Sequence, residues 1–235
     1  RAIQECLSEA AYNSRLQLSC APIRGEIEPL KAETAESLLA CDVILEVGIP
    51  EMANKLAAAL LSKAHTRGTP LPAWVSGSTG WTGSQRTPLL EWGKSAPVLW
   101  SSNFSTGVLA FQHVLRQASP LLKRLGYTPV LTEVHHQHKR DAPSGTGRSL
   151  QAILSPNAPE SIQTHAIRAG EVVGDHSVEF FGTSDRIRIE HSAMDRKIFA
   201  RGALEVALWL AEQRQERTIG VQTMENFFER RYIQG

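Results

Sequence analysis

The feature that most restricts how this chain folds is a repeated alternation between residues 42 and 100. Short apolar runs rich in β-branched residues end in glycine- or proline-bearing turns, and helix-forming segments follow. Asp42–Val47 is one such run, fit for a buried parallel strand. Gly48-Ile49-Pro50 ends it, and Glu51–His65 reads as an Ala/Leu-rich helix closed by Gly68. Ala73–Ser76 is a second strand, Gly77-Ser78-Thr79-Gly80 a turn, Thr82–Lys94 a helix and Pro97–Trp100 a third strand. Parallel strands need long crossovers, usually helical. The order therefore predicts a parallel α/β sheet whose ligands bind at the carboxyl ends of its strands. Upstream, Ile3, Leu7, Ala10 and Ala11 recur at helical spacing and predict an amphipathic helix over 2–12, with Leu16–Cys20 a strand candidate.

The pattern changes beyond residue 105. Thr106–Leu125 reads as a long helix that Pro120 is expected to kink or split. Strand candidates follow at Pro129–His136, Gln163–Ala169, Ser177–Phe181 and Arg186–His191, with one short helix starting near Ser144. Ile187 and Ile189 alternate with Arg186, Arg188 and Glu190, which predicts one dry face, and Phe181–Asp185 turns the last two strands into a hairpin. Strands with so few covering helices predict an antiparallel or mixed open sheet, its bare face suited to a partner subunit. Ile198–Gln213 returns to an apolar helix through Ala203, Leu204, Ala207, Leu208 and Ala211, expected to pack back on the first zone.

Composition excludes several classes. A net charge of +1 leaves no electrostatic footprint for nucleic acid or a membrane surface. No apolar run is long enough to span a bilayer, and no secretory leader is expected. The 3 cysteines, Cys6, Cys20 and Cys41, lack paired spacing, so reduced thiols in a cytoplasmic protein are expected. The 235 residues suffice for one large domain or two small ones.

The chemistry concentrates in Glu133-Val134-His135-His136-Gln137-His138-Lys139-Arg140-Asp141-Ala142-Pro143-Ser144-Gly145-Thr146. Imidazoles and an amine can hold and donate protons. The Ser-Gly-Thr run opens a helix, and the free N–H groups of a helix start bind anions. Proton donors beside an anion-binding turn suggest an enzyme acting on a small carboxylate. On a strand, Thr132 and Val134 face one way and Glu133 and His135 the other. A lysine among other cations, partly desolvated, can act as an acid near neutral pH. No metal site is expected: adjacent histidines on a strand point apart, and no acidic or thiol partner of His135-His136-x-His138 has ligand spacing. Asp141–Ser144 is a turn before a serine-capped helix. It is equally a cradle in which the Ser144 and Thr146 hydroxyls and the Gly145 and Thr146 amides take a carboxylate. Gly77–Gly80 is either a cofactor-contact turn or merely a tight one, and Asn103 is a candidate cap for the long helix. Arg168 and Arg196 suit bidentate carboxylate binding, though singly each reads as a surface salt bridge.

Taken together these segments resemble the dihydrodipicolinate reductase family of bacterial and plant lysine biosynthesis. Glu133–Thr146 matches that family's E-x-H-H-x-x-K-x-D-A-P-S-G-T signature nearly letter for letter. Support comes from Gly77–Gly80, Asn103–Val108, Arg168–His176, Phe199–Ala203 and Ala207–Leu210, and the likeness runs in order along about the whole chain. It implies an α/β protein: a Rossmann-like dinucleotide-binding domain (1–105 and 197–235) and an α+β substrate and tetramerisation domain with an open mixed sheet (106–196). It also implies NADH or NADPH as hydride donor, a cyclic dicarboxylate substrate and a homotetramer. Lys139 would be the proton donor, with His135 assisting as acid or charge stabiliser. Ser144, Gly145 and Thr146 would hold a substrate carboxylate, with His136 and Arg196 close by. Gly77, Thr79, Ser102, Asn103 and Phe104 would contact the nicotinamide half.

The chain departs from the family's pattern in places. The family opens with a strand and a G-x-x-G-R-M-G pyrophosphate loop, whereas Arg1 corresponds to the last arginine of that region, so the first strand and the loop are expected to be missing. Cys20-Ala21-Pro22 stands where the family reads the ribose, with Arg24 just beyond, and Glu46-Val47-Gly48-Ile49-Pro50 replaces D-F-T-x-P. The stretch between the Ser144 helix and Arg168 is short. These departures leave an alternative: a cofactor-impaired homologue acting as a structural or binding subunit.

Overall fold

The computed structural model describes residues 2–9, 12, 14–17, 30–81 and 83–234. It divides into two compact units, Arg1–Phe104 with Phe199–Gly235, and Ser105–Ile198.

The first unit contains α1 (Ala2–Leu7), α2 (Ala32–Ala40), β1 (Val43–Glu46), α3 (Pro50–Arg67), β2 (Ala73–Ser76), α4 (Thr87–Gly93) and β3 (Pro97–Trp100). Three parallel pairings order its described strands β1-β2-β3-β8, where β8 is Gly220–Gln222. Helix α3 follows the sequence signals: Pro50 opens it, and Gly68 closes it at φ 64, where only glycine is unstrained. Trp74 and Trp92 meet edge-to-face at 4.8 Å in the core, and the Trp92 indole donates to the Pro72 carbonyl at 2.8 Å.

Several expectations shift. The first helix stops at Leu7, no strand forms at residues 16 and 17, and the rest of that strand candidate lies outside the described residues. In β1 only Ile44 is buried. Residues 84–86 form a 3₁₀ turn before α4, and Thr82 is outside the described residues. Helix α2 went unread, and so did two elements at the far end. One is β8; the other is α8 (Met224–Phe228), which opens on a capping box between Thr223 and Asn226.

The second unit contains α5 (Thr106–Arg124), β4 (Thr128–His135), α6 (Gly145–Leu154), β5 (Gln163–Arg168), β6 (Asp175–Phe181) and β7 (Arg186–Ser192). Helix α5 runs through Pro120 as one element. Pro120 is exposed, so the carbonyl deprived of its partner lies on the solvent face, where water can satisfy it. The expected Asn103 cap is instead Ser105, whose hydroxyl accepts from the Val108 amide at 3.2 Å. The sheet order is β5-β4-β6-β7, with β4 and β5 parallel and the other pairs antiparallel, so the sheet is mixed as expected. Strand β4 alternates cleanly, burying Pro129, Leu131, Glu133 and His135. Leu131, Val178 and Phe180 pack under Phe111, Leu115, Leu150 and Leu154 from α5 and α6. The face expected to be dry on β7 is only half so, since Ile187 is 37% exposed.

Helix α7 (Lys197–Gln215) carries the chain back, and Ala200 and Leu204 pack with Cys6 and Tyr12 in the first unit. Cys6 is buried and Cys41 half-buried, and Cys20 lies outside the described residues. Among the described residues no helix is long and apolar enough to cross a membrane.

Candidate active site

Strand alternation and cross-strand register build the candidate site in the second unit. Glu133 and His135 share the buried face of β4, two residues apart. The β4–β6 register sets His176 opposite Glu133, the β4–β5 register sets Arg168 opposite His135, and the β6–β7 register sets His191 opposite His176. The Glu133 carboxylate is fully buried. A buried carboxylate is costly unless its oxygens are paired and hydrogen-bonded. Here the Ser144 amide donates to both oxygens at 3.0 and 3.1 Å, the Ser144 hydroxyl donates to Oε2 at 2.5 Å, and Arg168 Nη2 donates to Oε1 at 2.9 Å. Burial pushes the Glu133 carboxyl up, but the Ser144 hydroxyl, Arg168 and the Ser144 amide outweigh it, and the group sits below the usual carboxylate range.

Ser144 thereby links a strand to a helix. Its hydroxyl also accepts from the Gly147 amide at 2.9 Å, the N-cap bond of α6. Gly147 leaves room for the carboxylate, because a Cβ there would stand 2.5 Å from Glu133 Oε2. His176 Nε2 lies 3.4 Å from the Ser144 hydroxyl and 3.8 Å from Glu133 Oε2. The His135 and His176 rings meet edge-to-face at 5.1 Å. Burial holds both imidazoles toward the neutral form, and His176, also facing His135, is pushed down to about 4.

Lys139 lies in the loop after β4, its Nζ 2.7 Å from Asp141 Oδ1. Arg168 also donates to the Asp141 carbonyl, which ties this loop to the same guanidinium. Arg148, in the first turn of α6, donates to the Pro143 carbonyl and approaches Asp141 at 3.9 Å. Gly145 and Thr146 open α6 directly behind the Ser144 cap. His135, Lys139 and Ser144–Thr146 are therefore joined through Glu133, Arg168 and Asp141. His136 lies just past the strand end with its ring near His138 at 6.3 Å, and Arg196 is exposed ahead of α7.

Sequence reasoning set Glu133 on the face of His135 and offered Arg168 as a carboxylate binder, but it did not assign Glu133, Asp141, Arg168 or His176 to the site. Arg168 is not a surface salt bridge: its side chain is 17% exposed and its partner is fully buried. The expected absence of an acidic partner with ligand spacing also needs correction, since Glu133, His135 and His176 each bring a ligand-type atom within 4.8 Å of the others. Both carboxylate oxygens already accept hydrogen bonds, Oε1 from Arg168 and Oε2 from the Ser144 hydroxyl.

The remaining candidates lie in the first unit. Strand ends Glu46, Ser76 and Trp100 finish in register. Glu46, another residue the sequence did not flag, accepts from the Ser76 and Ser78 hydroxyls at 2.7 Å each and from the Gly48 amide, which fastens the Gly77–Gly80 turn. Gly77 packs so closely that a Cβ would stand 3.1 Å from Val47 and 3.3 Å from Phe104. Thr79 is exposed, and Gly80, at φ +84, has open space where a side chain would be. Ser101 and Asn103 bond to each other around exposed Ser102, and Phe104 is buried.

These features define a two-unit α/β protein, with one parallel sheet ending in glycine turns and one mixed sheet holding a braced polar cluster against a helix start. Residues 107–228 match the family model described as dihydrodipicolinate reductase, C-terminus. The chain is 35% identical over 214 residues to the 4-hydroxy-tetrahydrodipicolinate reductase of Akkermansia muciniphila, covering 83% of this chain and 82% of that one. It is 35% identical over 228 residues to the protein of that name from Archaeoglobus fulgidus, covering 88% and 80%. The solved structure of dipicolinate-bound dihydrodipicolinate reductase from Paenisporosarcina sp. TG-14 has the same fold. It superposes with a TM-score of 0.63 at 18% identity, covering 84% of this chain and 77% of that one. The chain belongs to the dihydrodipicolinate reductase family.

Proposed function

We propose that the protein is an NAD(P)H-dependent 4-hydroxy-tetrahydrodipicolinate reductase, reducing that ring dicarboxylate to tetrahydrodipicolinate in lysine biosynthesis. The observation that carries this reading is the Ser144–Thr146 helix start, braced by Glu133 and joined through shared partners to His135 and Lys139. In this assignment residues 1–105 and 197–235 bind the dinucleotide through Gly77, Thr79, Ser102, Asn103 and Phe104, and residues 106–196 bind substrate. A reduced nicotinamide, NADH or NADPH, supplies the hydride when bound. The turn that Ser144 caps holds one ring carboxylate through the Gly145 and Thr146 amides and the Thr146 hydroxyl, while the Ser144 amide and hydroxyl donate to Glu133 and fix the turn, with His136 and Arg196 serving the substrate's remaining charge. Lys139 Nζ gives the proton that balances the added hydride, and His135 stabilises the negative charge growing on the ring. Starting from the hydroxylated ring, the hydroxyl leaves as water together with a proton from the neighbouring ring carbon, and the new double bond forms with the imine the conjugated system that the hydride reduces. The protein is assigned to the cytoplasm as a homotetramer.

The direct test follows loss of reduced-nicotinamide absorbance with freshly generated substrate. Wild-type protein is expected to turn over with NADH, NADPH or both. Lys139→Ala and His135→Ala are expected to lose about 10²- to 10⁴-fold in kcat while still binding dipicolinate. A wild-type protein that consumes neither cofactor overturns the reading in favour of a cofactor-impaired binding subunit. Full turnover in the two variants overturns the role assignment.

A further inference from the structure

We propose that Glu133 is the positioning residue of this site: its buried carboxylate fixes the start of α6 in the orientation that receives a substrate carboxylate. The inference rests on the proposed reductase reading and adds a residue that need not touch substrate. A helix start attracts an anion only while its first N–H groups point together at one place. The residue that sets their direction here is Ser144. Its amide and hydroxyl both donate to Glu133, and the same hydroxyl accepts from Gly147. The cap is therefore anchored to the sheet as well as to its own helix. Placing a negative charge behind a cradle for negative charge looks counterproductive, but Arg168 offsets it at 2.9 Å. Ser144, Glu133 and Arg168 thus form a neutralised brace spanning α6, β4 and β5.

Geometry on the α6 side agrees. A side chain at Gly147 would collide with Glu133 Oε2, so the first turn can sit this deep only against glycine. The carboxylate also lies 3.9 Å from His135 Nδ1 and 3.8 Å from His176 Nε2, so losing it changes the electrostatics of an imidazole assigned to the chemistry. Its negative charge favours the protonated form of His135 and opposes the effect of burial.

The test uses the full chain and dipicolinate as an unreactive probe, so binding is read separately from turnover. Glu133→Gln keeps the shape and removes the charge. Dipicolinate affinity is expected to fall about 10- to 100-fold, the loss of a charge-assisted pair of hydrogen bonds, with KM rising more than kcat falls. The basic limb of the kcat/KM profile is expected to move to lower pH, because the charge that favours protonated His135 is gone, which a purely structural defect would not produce. Glu133→Gln combined with Ser144→Ala should lose less than the sum of the two single losses, because both changes loosen the same cap. Gly147→Ala displaces the carboxylate without altering it and keeps the proposal testable if Glu133→Gln fails to fold. It is expected to lose dipicolinate affinity to a similar extent. Wild-type affinity in Gly147→Ala, or losses in the double variant that simply add, would overturn the proposal. If wild-type protein shows no reductase turnover yet binds dipicolinate, the reductase reading fails while the positioning role is still decided by the binding arm.

Discussion

His176 lies on the buried face of the mixed sheet, 4% exposed, with its Nδ1 unpartnered. Its folded pKa of about 4 against an ordinary 6.5 means that the folded ring stays neutral while the unfolded ring takes a proton as pH falls. The sign is therefore fixed. Above about 6.5 both states are neutral and nothing is lost; between 6.5 and about 4 stability drains toward the unfolded state. Each pKa unit is worth 1.36 kcal/mol, so the full effect is roughly 3 kcal/mol. Burial shifts His135 and His191 in the same direction, and the depressed Glu133 carboxyl extends the loss to lower pH. Protection of the β4 and β6 amides, their exchange rate taken relative to the intrinsic rate at each pH, is expected to fall from pH 6.5 downward. In His176→Asn, whose side chain does not titrate, that dependence should flatten. An unchanged slope would mean that the ring is protonated in the folded protein.

The β4 row shows what elements made legible in the sequence and what they hid. The two-residue period of a strand placed Glu133 and His135 on one face, and a serine before a helix-forming stretch located the α6 cap. His176 and Arg168 could not be found that way. They reach Glu133 only because β6 and β5 lie on either side of β4 in one register, and a single sequence does not state which strands pair. Pro120 misled for the opposite reason: its local penalty is real, but the solvent-facing side of α5 absorbs it. Close approach between elements is similarly invisible until the chain is folded. A Cβ at Gly202 of α7 would stand 1.7 Å from the Phe104 carbonyl oxygen, nearer than any contact permits. Gly202→Ala would gain helix propensity, yet it is expected to destabilise the first unit by about 3 kcal/mol or more through overpacking, read as a lower urea midpoint. A midpoint at or above wild type would show that α7 shifts without cost.

For the whole molecule, the alternation of strand, turn and helix predicted the parallel sheet, and the strand-rich stretch after residue 125 predicted the mixed one. The chain's far end escaped notice because β8 is three residues long and α8 five, too short for a periodic pattern. Ile167 and Phe181 on the mixed sheet are 46% and 43% exposed, apolar area of the kind a partner subunit covers. Light scattering on the eluting protein is expected to give four times the 25.8 kDa of one chain. Ile167→Lys on the sheet should lower that mass; a monomeric wild type would refute the tetramer.

The first unit is interrupted by the second, since Ser105–Ile198 is inserted between Phe104 and Phe199. Strand β8 completes its pairing with β3 only after that insertion has been made, so Pro97 must wait for Gly220. During synthesis on the ribosome, β1, β2 and β3 emerge with one flank of their sheet uncovered, while the inserted unit has all its own strands and can fold first. The unit begun second is thus complete first, and β8 can join β3 only once the inserted unit has been made.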